Sequence, residues 1–209
     1  YNESPCTSEG TRRTDLSRRP SRTYKPRLGI FQRRGPLFYP GHPLIRVMRK
    51  ILFIDLDGTL IETKSGKTFP ESPGDWKIKE GVPEAITGYA PDRVHIVTNQ
   101  GGIASGFVTR EEIEGKLEDV LEAYSALCPG IREWTYDYCP SMDSWDPDRK
   151  PNPGMIRKVL DTEKPSALCL MVGDMSDPDW RGTDRLAAEA AGVSYRDIKE
   201  FVSAWRRPG

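Results

Sequence analysis

Histidine is almost missing from this chain: its 209 residues hold two, His42 in a basic N-terminal segment and His95 inside an apolar run. Neither is placed for acid–base catalysis, and His95 reads as a buried, satisfied imidazole. Cysteine is also sparse. Cys6, Cys128, Cys139 and Cys169 are scattered, which excludes a disulfide framework and leaves no Cys/His set for a zinc centre. Cys169, within an apolar run, reads as a small core hydrophobe. No apolar stretch reaches membrane length, and no secretory h-region follows Tyr1. A soluble, reducing, cytoplasmic setting is therefore expected. No G-x-x-x-x-G-K-[ST] phosphate loop is present, so kinase-type nucleotide chemistry has no support.

Charge is balanced overall, 31 Lys+Arg against 31 Asp+Glu, but not along the chain. Residues 1–47 carry 10 basic against 3 acidic residues, a net +7, and the remainder 21 against 28, a net −7. The first segment is rich in Arg, Pro, Ser and Gly and is expected to be disordered. It could be a nucleic-acid-binding arm, an Arg- and Ser-rich transit peptide that leaves organelle targeting open, or sequence ahead of an internal start at Met48. Residues 48–209 have the size and apolar content of one domain with one substantial core.

Within that domain, apolar runs repeatedly end in polar, chemistry-bearing residues. Ile51 to Ile54 is apolar on both alternating faces, as in a central strand covered by helices on each side, and it runs straight into Asp55-Leu56-Asp57-Gly58-Thr59-Leu60. Ligands of open parallel sheets bind beyond the carboxyl ends of the strands, where Asp55 would lie. Asp55 and Asp57 point the same way in an extended chain, and Gly58 permits a sharp turn. Two such carboxylates repel unless Mg²⁺ or a shared proton neutralises them. Val94 to Val97 runs into Thr98-Asn99-Gln100-Gly101-Gly102, a hydroxyl and a group of amides suited to phosphate oxygens. Lys150 stands in the proline-flanked segment Arg149 to Met155, a rigid setting that aims its ammonium. Leu168 to Gly173 ends in Asp174.

These four pieces, in this order, resemble the motifs of the haloacid dehalogenase superfamily of aspartate-nucleophile phosphatases, over about residues 49–205. The resemblance implies a Rossmann-like α/β three-layer sandwich with a central parallel sheet. It also implies that Asp55 is the nucleophile, that Asp57 is the general acid/base, and that Thr98 and Lys150, with Asn99 beside them, hold the phosphoryl group. Mg²⁺ would be held by Asp174, the Asp55 carboxylate and the Asp57 backbone carbonyl. The chemistry is coherent: an aspartyl-phosphate splits one hard hydrolysis into two easier steps, and the cations offset the repulsion between anionic nucleophile and anionic phosphate.

Ser65 to Pro70, Ser72 to Trp76, and Asp179 to Leu186 are similar to segments of the 3′-phosphatase domain of polynucleotide kinase/phosphatase. That likeness would make Asp179 and Asp184 supporting acids for the metal or Lys150, on an extended acidic loop from Met175 to Thr183. Tyr138-Cys139-Pro140, with Arg149-Lys150-Pro151, is similar instead to histidinol-phosphate and sugar-bisphosphate phosphatases. Between Cys139 and Lys150, however, there is no His or second Cys to complete the zinc loop of those relatives. No segment is long enough for a large cap domain, so the mouth is expected to be open. It could admit a nucleic-acid 3′ end, on whose bases Trp76 and Trp180 could stack, or a small phosphate ester. A polynucleotide 3′-phosphatase is ranked first, a small-metabolite phosphatase second, and a silent phosphate-binding module last.

Parallel strands are predicted near 50–55, 93–98, 133–138, 167–173 and 193–195, and helices near 82–89, 109–127, 153–162, 183–191 and 197–205. Thr109 to Glu112 reads as a capping box, followed by an apolar stripe of Ile113, Leu117, Val120, Leu121, Tyr124 and Leu127.

Overall fold

The computed structural model describes residues 22–24, 48–68, 70–163, 167–174 and 183–205. In chain order its elements are β1 (Arg22–Tyr24), β2 (Lys50–Ile54), β3 (Ile61–Glu62), β4 (Lys77–Ile78), α1 (Val82–Tyr89), β5 (Arg93–Asn99), α2 (Arg110–Leu127), β6 (Glu133–Cys139), α3 (Gly154–Leu160), β7 (Leu168–Gly173), α4 (Thr183–Ala191), β8 (Ser194–Asp197) and α5 (Ile198–Trp205). The main sheet has the order β1-β6-β5-β2-β7-β8. Its strands β6, β5, β2, β7 and β8 are parallel.

The alternation of side chains builds a core on each face of that sheet. Leu52, Ile54, Val94, Ile96, Leu170 and Val172 point to one face, where residues of α1, α2 and α5 pack on them. Ile51, Phe53, Val97 and Met171 point to the other, under Met155, Ile156 and Val159 of α3 and Ala187 and Ala188 of α4. A strand buried on both faces disfavours charge along its length, so Lys50, Arg93, Thr98 and Asn99 stand at strand ends, and His95 is the buried polar residue inside β5. At the far end from the carboxyl termini, Arg49, Arg93, Glu133 and Glu163 interlock as ion pairs.

The capping box on α2 is present in both directions: Glu112 N donates to Thr109 Oγ1 (3.1 Å) and Thr109 N donates to Glu112 Oε2 (2.7 Å). The stripe on α2 is buried from Ile113 to Tyr124, but Leu127, at the last turn, is exposed. Trp76 is partly buried and packs against the main core. Trp180, Asp179 and the rest of the expected acidic loop, 175–182, lie outside the described residues. His95 is buried, with Nδ1 2.7 Å from Thr135 Oγ1. Its Nε2 faces Asp137 Oδ2 at 3.2 Å, so both ring nitrogens have a polar neighbour.

Two features were not anticipated. β1 adds antiparallel to the edge of β6, with Arg22 opposite Tyr136 and Tyr24 opposite Trp134, so three residues of the basic segment belong to the sheet. The remainder of residues 1–47 lies outside the described residues. A two-stranded ribbon, β3 with β4, follows the Asp55–Leu60 loop and takes the place of any larger insertion between β2 and α1. Its intervening turn is organised by the Asp75 carboxylate, which accepts from Ser65 N (2.9 Å), Ser65 Oγ (2.6 Å) and Glu71 N (3.0 Å). Among the described residues, no helix is long and apolar enough to cross a membrane.

Candidate active site

The carboxyl ends of β2, β5 and β7 meet at one point because the three strands are adjacent and in register, Ile54 lying beside both Ile96 and Val172. Asp55 N still donates to Val172 O (3.0 Å), so the nucleophile candidate sits at the last rung of the ladder. The chain then turns sharply: Thr59, Leu60 and Ile61 all donate their amides to Leu56 O. Gly58, with φ +85°, makes that turn possible, and a side chain there would overlap the Asp174 carboxylate.

Lys150 is the hub. Its buried ammonium is 2.6 Å from Asp55 Oδ1, 2.6 Å from Asp184 Oδ1 and 2.8 Å from Val97 O. All three donors of the ammonium are used, as burial of a lysine requires. Burial alone would lower the Lys150 pKa, but the charges of Asp184 and Asp55 outweigh it and raise it. Asp55 also accepts from Thr59 Oγ1 (3.1 Å). Its carboxyl is pushed up to about 7 by burial, against the pull of Lys150, with the Asp184 and Asp57 charges adding to the rise. Asp174 is likewise raised, by desolvation and then by the charge of Asp184.

Asp55, Asp174 and Asp184 offer carboxylate oxygens that all lie within 4.8 Å of one another. Three carboxylates around one ammonium leave a surplus of negative charge, and hard oxygen donors suit Mg²⁺. The donor set therefore fits the ion expected from sequence. Asp184 comes from the first turn of α4 and packs against Gly173, where a side chain would collide with it.

Asn99 differs from expectation. Its Nδ2 donates to Lys150 O (2.9 Å) and its Oδ1 accepts from Lys150 N (2.9 Å), so both ends of its amide hold the lysine loop instead of facing the phosphoryl position. Thr98 is buried, and its Oγ1 accepts from Gln100 Nε2 (2.9 Å). Asp57 points away from the carboxylate cluster. Its Oδ2 accepts from the same Gln100 amide (2.8 Å) and its Oδ1 is 2.7 Å from Lys116 Nζ.

Two residues at this site escape the sequence reading, Lys116 and Lys79, whose ammonium reaches Gly58 O, and so does the bond from Gln100 to Asp57. Lys116 alone carries a signal in the sequence. It falls between Ile113 and Leu117 on the core-facing stripe of α2, where a charge has no place without a partner.

Residues 50–201 match the family model described as Polynucleotide kinase 3 phosphatase. The chain is 30% identical over 165 residues to the D-glycero-beta-D-manno-heptose-1,7-bisphosphate 7-phosphatase of Haemophilus ducreyi, covering 71% of this chain and 81% of that one. It is 26% identical over 164 residues to an uncharacterized 20.8 kDa protein of Autographa californica nuclear polyhedrosis virus, covering 73% and 85%. Among solved structures, D,D-heptose 1.7-bisphosphate phosphatase from B. bronchiseptica, complexed with magnesium and phosphate, superposes with a TM-score of 0.57 at 25% identity, covering 76% of this chain and 88% of that one. With its five parallel strands, flanking helices and carboxyl-end acids, this chain belongs to the Polynucleotide kinase 3 phosphatase family of haloacid dehalogenase-like phosphatases.

Proposed function

We propose that this phosphatase is a Mg²⁺-dependent phosphomonoesterase that works through an aspartyl-phosphate on Asp55. The observation that carries the reading is the Lys150 ammonium shared between Asp55 and Asp184, with Asp174 beside them. Mg²⁺, held by Asp55, Asp174 and the Asp57 carbonyl, would supply Lewis-acid stabilisation of the phosphoryl oxygens. Asp184 and Lys150 fix the orientation of the Asp55 carboxylate. An Asp55 oxygen attacks phosphorus and the ester P–O bond breaks, with Asp57 giving its proton to the leaving oxygen. Asp57 then takes a proton from the water that attacks the aspartyl-phosphate. The Thr98 hydroxyl, and the Lys150 ammonium once it releases one of its three present acceptors, donate to the transferring group.

For substrate, the relatives favour the reading ranked second from sequence over the one ranked first. We assign a small phosphorylated metabolite of the sugar-bisphosphate type, supported by the heptose-bisphosphate phosphatases among the similar proteins. A nucleic-acid 3′-phosphate remains the second reading, favoured by the description of the matching family. The test is purified protein with Mg²⁺ against sugar phosphates and bisphosphates and, in parallel, a 3′-phosphorylated oligonucleotide. Higher kcat/KM on a sugar bisphosphate supports the assignment, and an excess of two orders of magnitude or so for the oligonucleotide reverses it.

A further inference from the structure

Asp57 is held by two donors, Gln100 from the segment that follows Thr98 and Lys116 from α2, outside every motif. Lys116 Nζ is 2.7 Å from one carboxylate oxygen and Gln100 Nε2 is 2.8 Å from the other. Lys116 is 7% exposed, in the middle of an amphipathic helix, at a position where its neighbours Ile113, Leu117 and Val120 are core residues. Placing an ammonium there costs desolvation that packing does not return, and the cost is offset only by the group it meets. That group is Asp57. The Asp57 side chain as a whole is about half exposed, so its carboxylate is clamped and still accessible to solvent.

We propose that Lys116, with Gln100, is a positioning residue that sets the rotamer of Asp57 for proton transfer. The inference rests on the reading of Asp57 as the general acid/base. A carboxylate oxygen has two lone-pair sites, so each Asp57 oxygen can accept from the clamp and still present its second site to the leaving group or to water. An unclamped aspartate has several staggered rotamers, and only those aimed at the leaving oxygen are productive. Gln100 ties the same clamp to the phosphoryl side, because its amide also donates to Thr98 Oγ1 (2.9 Å). α2 thus contributes to catalysis through Lys116, without any residue of a recognised motif.

The two half-reactions separate this role from a structural one. Alkyl esters require a proton on the leaving oxygen, whereas p-nitrophenolate leaves without help, so the first half-reaction with p-nitrophenyl phosphate is insensitive to Asp57. The second half, hydrolysis of the aspartyl-phosphate, needs the base whatever the substrate. Rapid-mixing kinetics on Lys116→Met, with Mg²⁺, should show a burst of p-nitrophenolate of about one equivalent at the wild-type rate, followed by a steady state slowed about 100-fold, the scale of an ångström-sized misplacement. With fructose 1,6-bisphosphate as the alkyl ester, the single-turnover rate should fall by a similar factor and KM should change by no more than about twofold.

Lys116→Gln removes the charge but keeps a polar side chain, and should give the same pattern if the methionine variant folds poorly. Asp57→Asn is the control. If Asp57→Asn loses alkyl-ester turnover while both Lys116 variants keep wild-type kinetics, the clamp is wrong and the acid/base reading stands. Loss of the burst and the steady state together, with a lowered melting temperature, would make Lys116 merely structural and also overturn the clamp. If Asp57→Asn itself behaves as wild type, the reading of Asp57 fails and the inference fails with it.

Discussion

Asn99 and Lys150 exchange two hydrogen bonds, side-chain amide to backbone in both directions, each 2.9 Å long. This pairing joins the end of β5 to the loop before α3 and fixes where the Lys150 side chain starts. The lysine's reach to Asp55 and Asp184 depends on that origin. Asn99→Ala should therefore lower kcat by roughly 10- to 100-fold with a smaller change in KM, because the ammonium is displaced rather than removed. The fold should lose about 1–3 kcal/mol, the cost of leaving the Lys150 backbone amide and carbonyl without their partner. Steady-state kinetics and urea unfolding check both; an unchanged kcat would separate Asn99 from the site.

Asp55 links the site to stability through pH. Its carboxyl is raised from 3.8 in the unfolded chain to about 7 in the fold, so between these values the native state holds the extra proton. Its contribution is fully present below pH 3.8 and is lost as pH rises through about 7. Protein treated with EDTA should thus show a melting temperature that falls across this window, measured as the difference between wild type and Asp55→Asn. The variant carries no titrating group there, and should also have no turnover while remaining folded. Adding Mg²⁺ should raise the wild-type melting temperature more at pH 8 than at pH 5, since the ion binds the ionised carboxylates. Substantial turnover by Asp55→Asn would refute the covalent route.

Gly58 is the tightest point in the nucleophile loop. Its φ of +85° disfavours any side chain, and a methyl group would overlap the Asp174 carboxylate directly across the site. Asp174 is exposed and can yield by moving, so Gly58→Ala should fold but bind Mg²⁺ about 10- to 100-fold more weakly, in the range seen when a ligand's support is disturbed. Calorimetric titration of the EDTA-treated protein measures this. Gly173→Ala offers the contrast: the atoms it would meet belong to Asp184, which is buried and tied to Lys150, so that variant should lose stability before it loses metal.

The legible part of this protein was the part written locally. The five parallel strands and five helices follow from runs that are apolar on both faces and from stripes at helical spacing, and they lie within a few residues of their expected positions. Asp55, Thr98 and Asp174 were legible because each ends or follows an apolar strand, which sets its place at the carboxyl edge; Lys150 was legible from its proline-flanked loop. Asn99 was read as a phosphate ligand because its neighbour Thr98 suggested it; the competing claim of the Lys150 backbone, 51 residues away, has no trace in local pattern. β1 was missed for a similar reason. Arg22–Tyr24 has no strand signature, and its pairing is conferred by the edge of β6.

The order of apolar and acidic residues by itself determined the layered α/β fold and the convergence of acids at one sheet edge, since burial on two faces drives charge to strand ends. Only the tertiary structure decided how those groups divide the work. It wedged Lys150 between Asp55 and Asp184, turned Asn99 onto the lysine's backbone, and brought Lys116 from the middle of α2 to the Asp57 carboxylate. Such pairings join residues 34 to 95 positions apart. They exist because buried charges and amides must find partners wherever packing places them, and packing is a property of the assembled layers rather than of any segment.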